Sequence, residues 1–282
     1  MSAAGLLPSN TVGRGVTRAF DAARAENRAV LVGYLPAGFP TIAGARDVIA
    51  AMVDGGVDVV EIGLPYSDPT MDGPTIARAA EIALANGTRT SDVLATVEAV
   101  AALGVPTLVM TYWNPIERYG VARFAADLAA AGGAGLITPD LIPEEAGEWI
   151  AASDANGLDR VFLVAPSSPQ ARVVSTAAVT RGFLYAVSIM GVTGSRTATS
   201  SAAPELVARA RAATDLPVGV GLGVSNGDQA AEVGAFADAV IVGSAFVRAV
   251  LDAPDTASGL RAVRALAEDL SAGVRRRGGS AG

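Results

Sequence analysis

The chain has 282 residues and a formal net charge of −7; 51% of its residues are apolar and only 17% are charged. That composition supports a large buried core and excludes a disordered chain. No apolar run approaches the roughly 20 residues of a membrane span. The first ten residues lack the basic and apolar regions of a secretory signal, and the acidic balance argues against a nucleic-acid partner. A cytoplasmic protein that binds neither membrane nor nucleic acid is expected.

In chain order, residues 11–27 read as an N-terminal helix. Short Val/Ile/Leu-rich runs then read as strands at 29–34, 58–62, 106–112, 135–138, 160–165, 183–187, 217–221 and 239–242. Each run is continuously apolar, as expected for a parallel strand covered on both faces. Helical patterns lie between and after them, among them 42–54, 74–86, 91–103, 123–131, 144–152, 205–213, 246–251 and 256–272. Proline with following acids marks two helix starts, at Pro143-Glu144-Glu145 and Pro204-Glu205. Eight strands with intervening helices is the count of an α/β (β/α)₈ barrel with an added N-terminal helix and short extra helices. No linker splits the chain, so one domain spans residues 1–282, with 1–10 and 275–282 frayed. An open doubly wound sheet is the other candidate. The eighth strand and the absence of a first-turn G-x-G-x-x-G favour closure.

Three missing side chains bound the chemistry. There is no Cys, no His, and all 21 basic residues are Arg. Disulfides, thiolate nucleophiles, imidazole bases, His-ligated metals and lysine Schiff bases are all excluded. Catalysis must use Asp, Glu, Tyr, hydroxyls, backbone N–H groups or a carboxylate-held ion such as Mg²⁺.

The C-terminal ends of barrel strands are where such a fold places its active site. The second strand ends in Val60-Glu61-Ile62-Gly63, so Glu61 is either a functional carboxylate or one satisfied by an arginine or a helix N-terminus. The long loop that follows carries Asp68 and Asp72. Ser67-Asp68-Pro69 is ordinary turn chemistry, whereas Asp72-Gly73-Pro74 suits either a site or a helix-opening turn. The third strand ends in an aromatic cluster around Tyr112 and Trp113 that lines a pocket or simply packs. Glu144 and Glu145 read as first-turn acids. After the sixth strand, residues 188–196 form a small-residue segment with the length of a lid, or of a passive surface loop. Gly221-Leu222-Gly223 and Gly243-Ser244 follow the seventh and eighth strands, where this fold binds phosphate through backbone N–H groups and helix N-termini. Tight turns would also explain the glycines, though not their pairing. Phosphate bound in this way needs no Lys or Arg.

These segments resemble the tryptophan synthase alpha chain family, over residues 31–250. The specific match is VEIGLPYSDPTMDGPTIARA at 60–79; GYLPAGFP, TYWNPIERYG, PDLIPEEA, YAVSIMGVTG, GVGLGVSN and VIVGSAFV support it. The resemblance implies a lyase of tryptophan biosynthesis, cleaving indole-3-glycerol phosphate by a retro-aldol step to indole and glyceraldehyde 3-phosphate. It assigns acid–base work to Glu61 and contact with the indole to Asp72. Tyr34, Tyr112 and Tyr185 become pocket residues, Thr193 and Gly194 part of the lid, and Gly223, Gly243 and Ser244 the phosphate cradle. Leu222 falls at an indole-wall position where Phe is common. The resemblance also implies an α₂β₂ tetramer with a beta chain that carries pyridoxal phosphate, this chain holding no cofactor. A free-standing indole-releasing lyase, another phosphate-sugar barrel enzyme and a non-catalytic partner-activating barrel are the rivals.

Overall fold

The computed structural model describes residues 15–187 and 202–276. Its strands are β1 (Val30–Pro36), β2 (Val59–Gly63), β3 (Thr107–Met110), β4 (Gly135–Ile137), β5 (Asp159–Val161), β6 (Leu163–Val164), β7 (Leu184–Val187), β8 (Val218–Gly221) and β9 (Ala239–Val242). All pair in parallel, in the order β5-β4-β3-β2-β1-β9-β8-β7-β6. The strands β5 and β6 are two halves of one stave interrupted at Phe162. The first half pairs with β4 and the second with β7, which brings the sheet round into a barrel. Nine strands thus occupy the eight expected positions.

The helices are α1 (Thr17–Ala25), α2 (Ile42–Asp54), α3 (Pro74–Ala85), α4 (Thr90–Ala101), α5 (Trp113–Tyr119), α6 (Val121–Ala130), α7 (Gly147–Asn156), α8 (Gln170–Val179), α9 (Ala202–Arg211), α10 (Gly227–Gly234), α11 (Ser244–Leu251) and α12 (Thr256–Val274). Three of them start on side-chain caps: Thr41 accepts the Gly44 N–H, Asn226 the Gln229 N–H and Asp255 the Ser258 N–H. The helix expected at 144–152 begins later than the sequence suggests. Pro143–Glu145 is a separate 3₁₀ turn, where Glu144 reaches out to Arg172 at 2.6 Å, and α7 starts only at Gly147. The aromatic segment after the third strand is not extended but turns at once into α5. Pro115 sits in the first turn of that helix, where no N–H is needed. Tail residues Arg275 and Arg276 follow α12 in an ordered turn, with Arg276 paired to Asp228 at 2.8 Å.

Two apolar layers follow from the two-residue period of the strands. Val30, Val32, Val59, Leu108, Ile137, Val161, Phe183, Tyr185, Ala239 and Ile241 point inward and fill the barrel. Their neighbours Leu31, Val60, Ile62, Val109, Leu136, Val220, Val240 and Val242 point outward to meet the helices. The floor is closed by α1, whose Val16, Phe20 and Ala23 join the inner layer. The Val16 N–H is anchored on Asp159 Oδ2 at 2.9 Å. Above the floor, the rings of Phe20, Phe183 and Tyr185 stack at centroid distances of 5.6 and 6.2 Å. This ladder leads from the floor plug to the open top.

Candidate active site

The same period that fills the barrel also carries the polar groups to its mouth. On β2, Val59 points inward at the lower level, and Glu61 and Gly63 follow it at positions two and four further on. On β1 the inward series is Val30, Val32 and Tyr34; Tyr34 is in register with Glu61 on the adjacent strand. Gly63 makes room for that ring, since a Cβ there would lie only 2.3 Å from the Tyr34 hydroxyl. Gly221 does the same for Tyr185, whose hydroxyl would be 2.7 Å from an added Cβ.

A cavity of 460 Å³ opens above these residues, lined by Tyr34, Glu61, Asp72, Tyr112, Tyr185, Gly223, Gly243 and Ser244 among others. Eight of the eleven sequence-derived site positions therefore meet in one place. Leu222 does not join them. The alternation that points Gly221 and Gly223 toward the cavity turns Leu222 outward, where it packs with Val220 and Val224 in the strand–helix layer. Thr193 and Gly194, with the rest of the expected lid, lie outside the described residues.

Glu61 is 1% exposed, and neither carboxylate oxygen has a hydrogen-bond partner among the described residues. Burial alone pushes its pKa up to about 8, so the resting group carries a proton at neutral pH. Asp72 stands at the end of the loop after β2, half-buried and also raised by desolvation, an effect opposed by a hydrogen bond donated from the Tyr112 hydroxyl at 3.2 Å. Tyr34 and Tyr185 are held neutral by burial, reinforced for Tyr34 by Asp72 and Glu61 and for Tyr185 by Glu61 and Tyr34. One carboxyl is thus a proton donor at rest, and the other has a donor that favours its charged form. Asp68 faces away into an exposed turn, where it accepts the Ser67 hydroxyl at 2.6 Å.

After β8 and β9 the cavity wall is formed by Gly223, Gly243 and Ser244. Gly223 has φ +72°, a backbone conformation that favours glycine. Gly243 is the N-cap of α11 and supplies no side-chain cap, the kind of helix end that can receive an anion. Arg248, one turn further along α11, also lines the cavity. Sequence reasoning missed this arginine; its i+4 spacing from Ser244 was the available signal. Among the described residues no group of three His, Cys, Asp or Glu side chains could hold a metal ion, and no helix is long and apolar enough to cross a membrane.

The fold and the cavity define a (β/α)₈-barrel enzyme with a buried carboxyl at its reactive end. The chain belongs to the tryptophan synthase alpha chain family, whose model matches residues 20–275. The alpha chain of Salinispora arenicola is 64% identical over 257 residues, covering 91% of this chain and 96% of that relative. The Thermobifida fusca alpha chain is 62% identical over 256 residues, covering 90% and 95%. A solved tryptophan synthase of Mycobacterium tuberculosis superposes with a TM-score of 0.87 at 56% identity, covering 93% of this chain and 99% of that one. The tryptophan synthase alpha subunit of Legionella pneumophila gives 0.82 at 32% identity, covering 92% and 97%. The activity is therefore that of a lyase in tryptophan biosynthesis: retro-aldol cleavage of indole-3-glycerol phosphate to indole and glyceraldehyde 3-phosphate.

Proposed function

We propose that Glu61 and Asp72 carry this cleavage as an acid–base and charge-stabilising pair. Indole is a poor carbanion leaving group, so the ring must first be protonated at C3. Glu61, protonated at rest, delivers that proton and becomes a carboxylate. It then accepts the proton of the hydroxyl on the carbon bonded to C3. The C–C bond breaks, its electrons return to the ring, and the aldehyde forms. Asp72 stabilises the positive charge that develops at the ring N–H. Tyr34, Tyr112 and Tyr185 enclose the ring. The backbone of Gly223, Gly243 and Ser244 holds the phosphate, whose binding energy positions the reacting bond without entering the chemistry. Leu222, in the strand–helix layer, supports the cavity wall from behind.

The observation that carries this reading is the buried Glu61 carboxyl, facing the cavity with no partner on either oxygen among the described residues. In the cell the chain acts as one cytoplasmic domain within an α₂β₂ assembly. Having no lysine, it cannot anchor pyridoxal phosphate as a Schiff base, so that cofactor belongs to the beta chain. The deciding experiment is indole release from indole-3-glycerol phosphate with and without the beta chain. Turnover that the partner increases supports the assembly; turnover indifferent to the partner, with no co-purification, favours a free-standing lyase.

A further inference from the structure

Glu61 and Asp72 line the cavity on and after β2, and beside Gly243 and Ser244, after β9, stands Arg248, the single basic side chain in the lining among the described residues. The Arg248 guanidinium forms no hydrogen bond or ion pair with any described residue, unlike those of Arg28, Arg160, Arg172 and Arg209, which are all engaged by carboxylates or carbonyls. It lies four residues after Ser244 on the same face of α11. Long side chains on a helix lean back toward its N-terminus, which here is the turn that lacks a side-chain cap. We propose that Arg248 is a ligand of the substrate phosphate, joining the backbone cradle as a mobile guanidinium clamp. This rests on the reading of Gly223, Gly243 and Ser244 as the phosphate end of the site.

Charge argues for it independently. A dianionic substrate must enter a protein of net charge −7 through a cavity already holding two carboxyls. Backbone N–H groups bind a phosphate well at close range but attract it little from a distance. A full positive charge at the rim supplies that attraction, and the planar fork of arginine matches two phosphate oxygens. Because the head group is exposed, its contribution is at the low end for a charge-assisted contact. It acts on binding and leaves the reacting bond untouched.

The test compares wild type, Arg248→Ala and Arg248→Lys in the presence of the beta chain. Inorganic phosphate binding is followed by calorimetry, and indole release from indole-3-glycerol phosphate by steady-state kinetics. Arg248→Ala should raise both the phosphate Kd and the KM by about 10-fold, with kcat within about 2-fold. Arg248→Lys should recover part of the loss, and the KM of the alanine variant should respond less to added salt. Equal phosphate affinity and equal KM in wild type and Arg248→Ala would overturn the proposal while leaving the backbone cradle standing. Failure of the wild type itself to bind phosphate would remove the cradle, and this inference with it.

Discussion

The Tyr112 hydroxyl donates to Asp72 Oδ1 at 3.2 Å while accepting the Met71 N–H at 2.9 Å, so one phenol just past the third strand ties down the Asp72 end of the loop after β2. The loop is otherwise exposed on both sides of Asp72, at Met71 and Gly73. Tyr112 is therefore a positioning residue for that carboxylate. Tyr112→Phe keeps the ring and its stacking on Tyr66, 5.4 Å away, but removes the tether. Loss of a hydrogen bond to a charged group corresponds to about 10-fold or more in kcat.

The same substitution has a signature in pH. Desolvation raises the Asp72 pKa and the Tyr112 hydrogen bond lowers it. Removing the bond leaves desolvation unopposed, so the pKa rises and less of the carboxylate is charged at any acidic pH. The acidic limb of kcat/KM should move to higher pH in Tyr112→Phe. A loss of activity uniform across pH would mean that the phenol acts by packing alone.

Glu61 predicts a conflict between activity and stability. Its pKa is about 8 in the folded protein against 4.5 for the free side chain. Between those values the folded state holds the proton more tightly than the unfolded state, so stability falls as pH rises from 4.5 to 8 and levels off above. At about 1.4 kcal/mol per unit, the burden at pH 9 is on the order of a few kcal/mol. Glu61→Gln has no proton to lose. Its stability advantage over wild type, measured by urea unfolding, should grow from pH 4.5 to pH 8. A gap that stays constant with pH would show that Glu61 does not titrate in this range.

Much of this site was legible in the sequence, and what was hidden has physical causes. The continuous apolar runs gave strand positions to within about two residues, because a doubly covered parallel strand has little other composition open to it. Which side chains face inward was not marked in those runs, because a strand covered on both faces is apolar at every position; the parity shows only in the structure, along Val59, Glu61 and Gly63. Applied to Gly221, Leu222 and Gly223, that parity turns Leu222 away from the cavity. The first turn of α5 was hidden because the aromatic cluster around Tyr112 and Trp113 read as the end of the third strand, although Pro115 is well tolerated in a first helical turn. Arg248 was hidden because its role depends on the packing of α11 against the barrel mouth, which local composition does not report.

Gly243 offers a steric test of the phosphate end. A Cβ there would sit 3.2 Å from Tyr34 Cδ1, a tight contact with a ring that can shift slightly. Valine adds two methyl groups beyond that point, crowding both Tyr34 and the first N–H groups of α11. Gly243→Val should raise KM for indole-3-glycerol phosphate at least 10-fold, roughly the loss of one charge-assisted contact. The outward neighbours Val240 and Val242 remain buried against the helices, so the fold should persist. Circular dichroism checks the fold, and an unchanged KM in a folded variant would remove the cradle assignment.

The most direct test separates the three acids of the loop region. Glu61→Gln keeps shape and polarity but cannot transfer a proton to the ring or take one back from the hydroxyl. General acid–base catalysis contributes roughly 10²–10⁴-fold, so kcat should fall by at least that much with KM nearly unchanged. In the wild type, kcat/KM should decline above pH about 8, as the resting proton is lost from Glu61. Asp72→Asn retains an acceptor for the ring N–H but no charge, and loss of one electrostatic stabiliser costs about 10²–10³-fold in kcat. Asp68→Asn alters only an exposed turn held by the Ser67 hydroxyl, so its effect should be smaller than either. All three are compared at saturating substrate with the beta chain present. Near-normal turnover by Glu61→Gln would sink the mechanism, because no other buried carboxyl faces the reacting ring among the described residues.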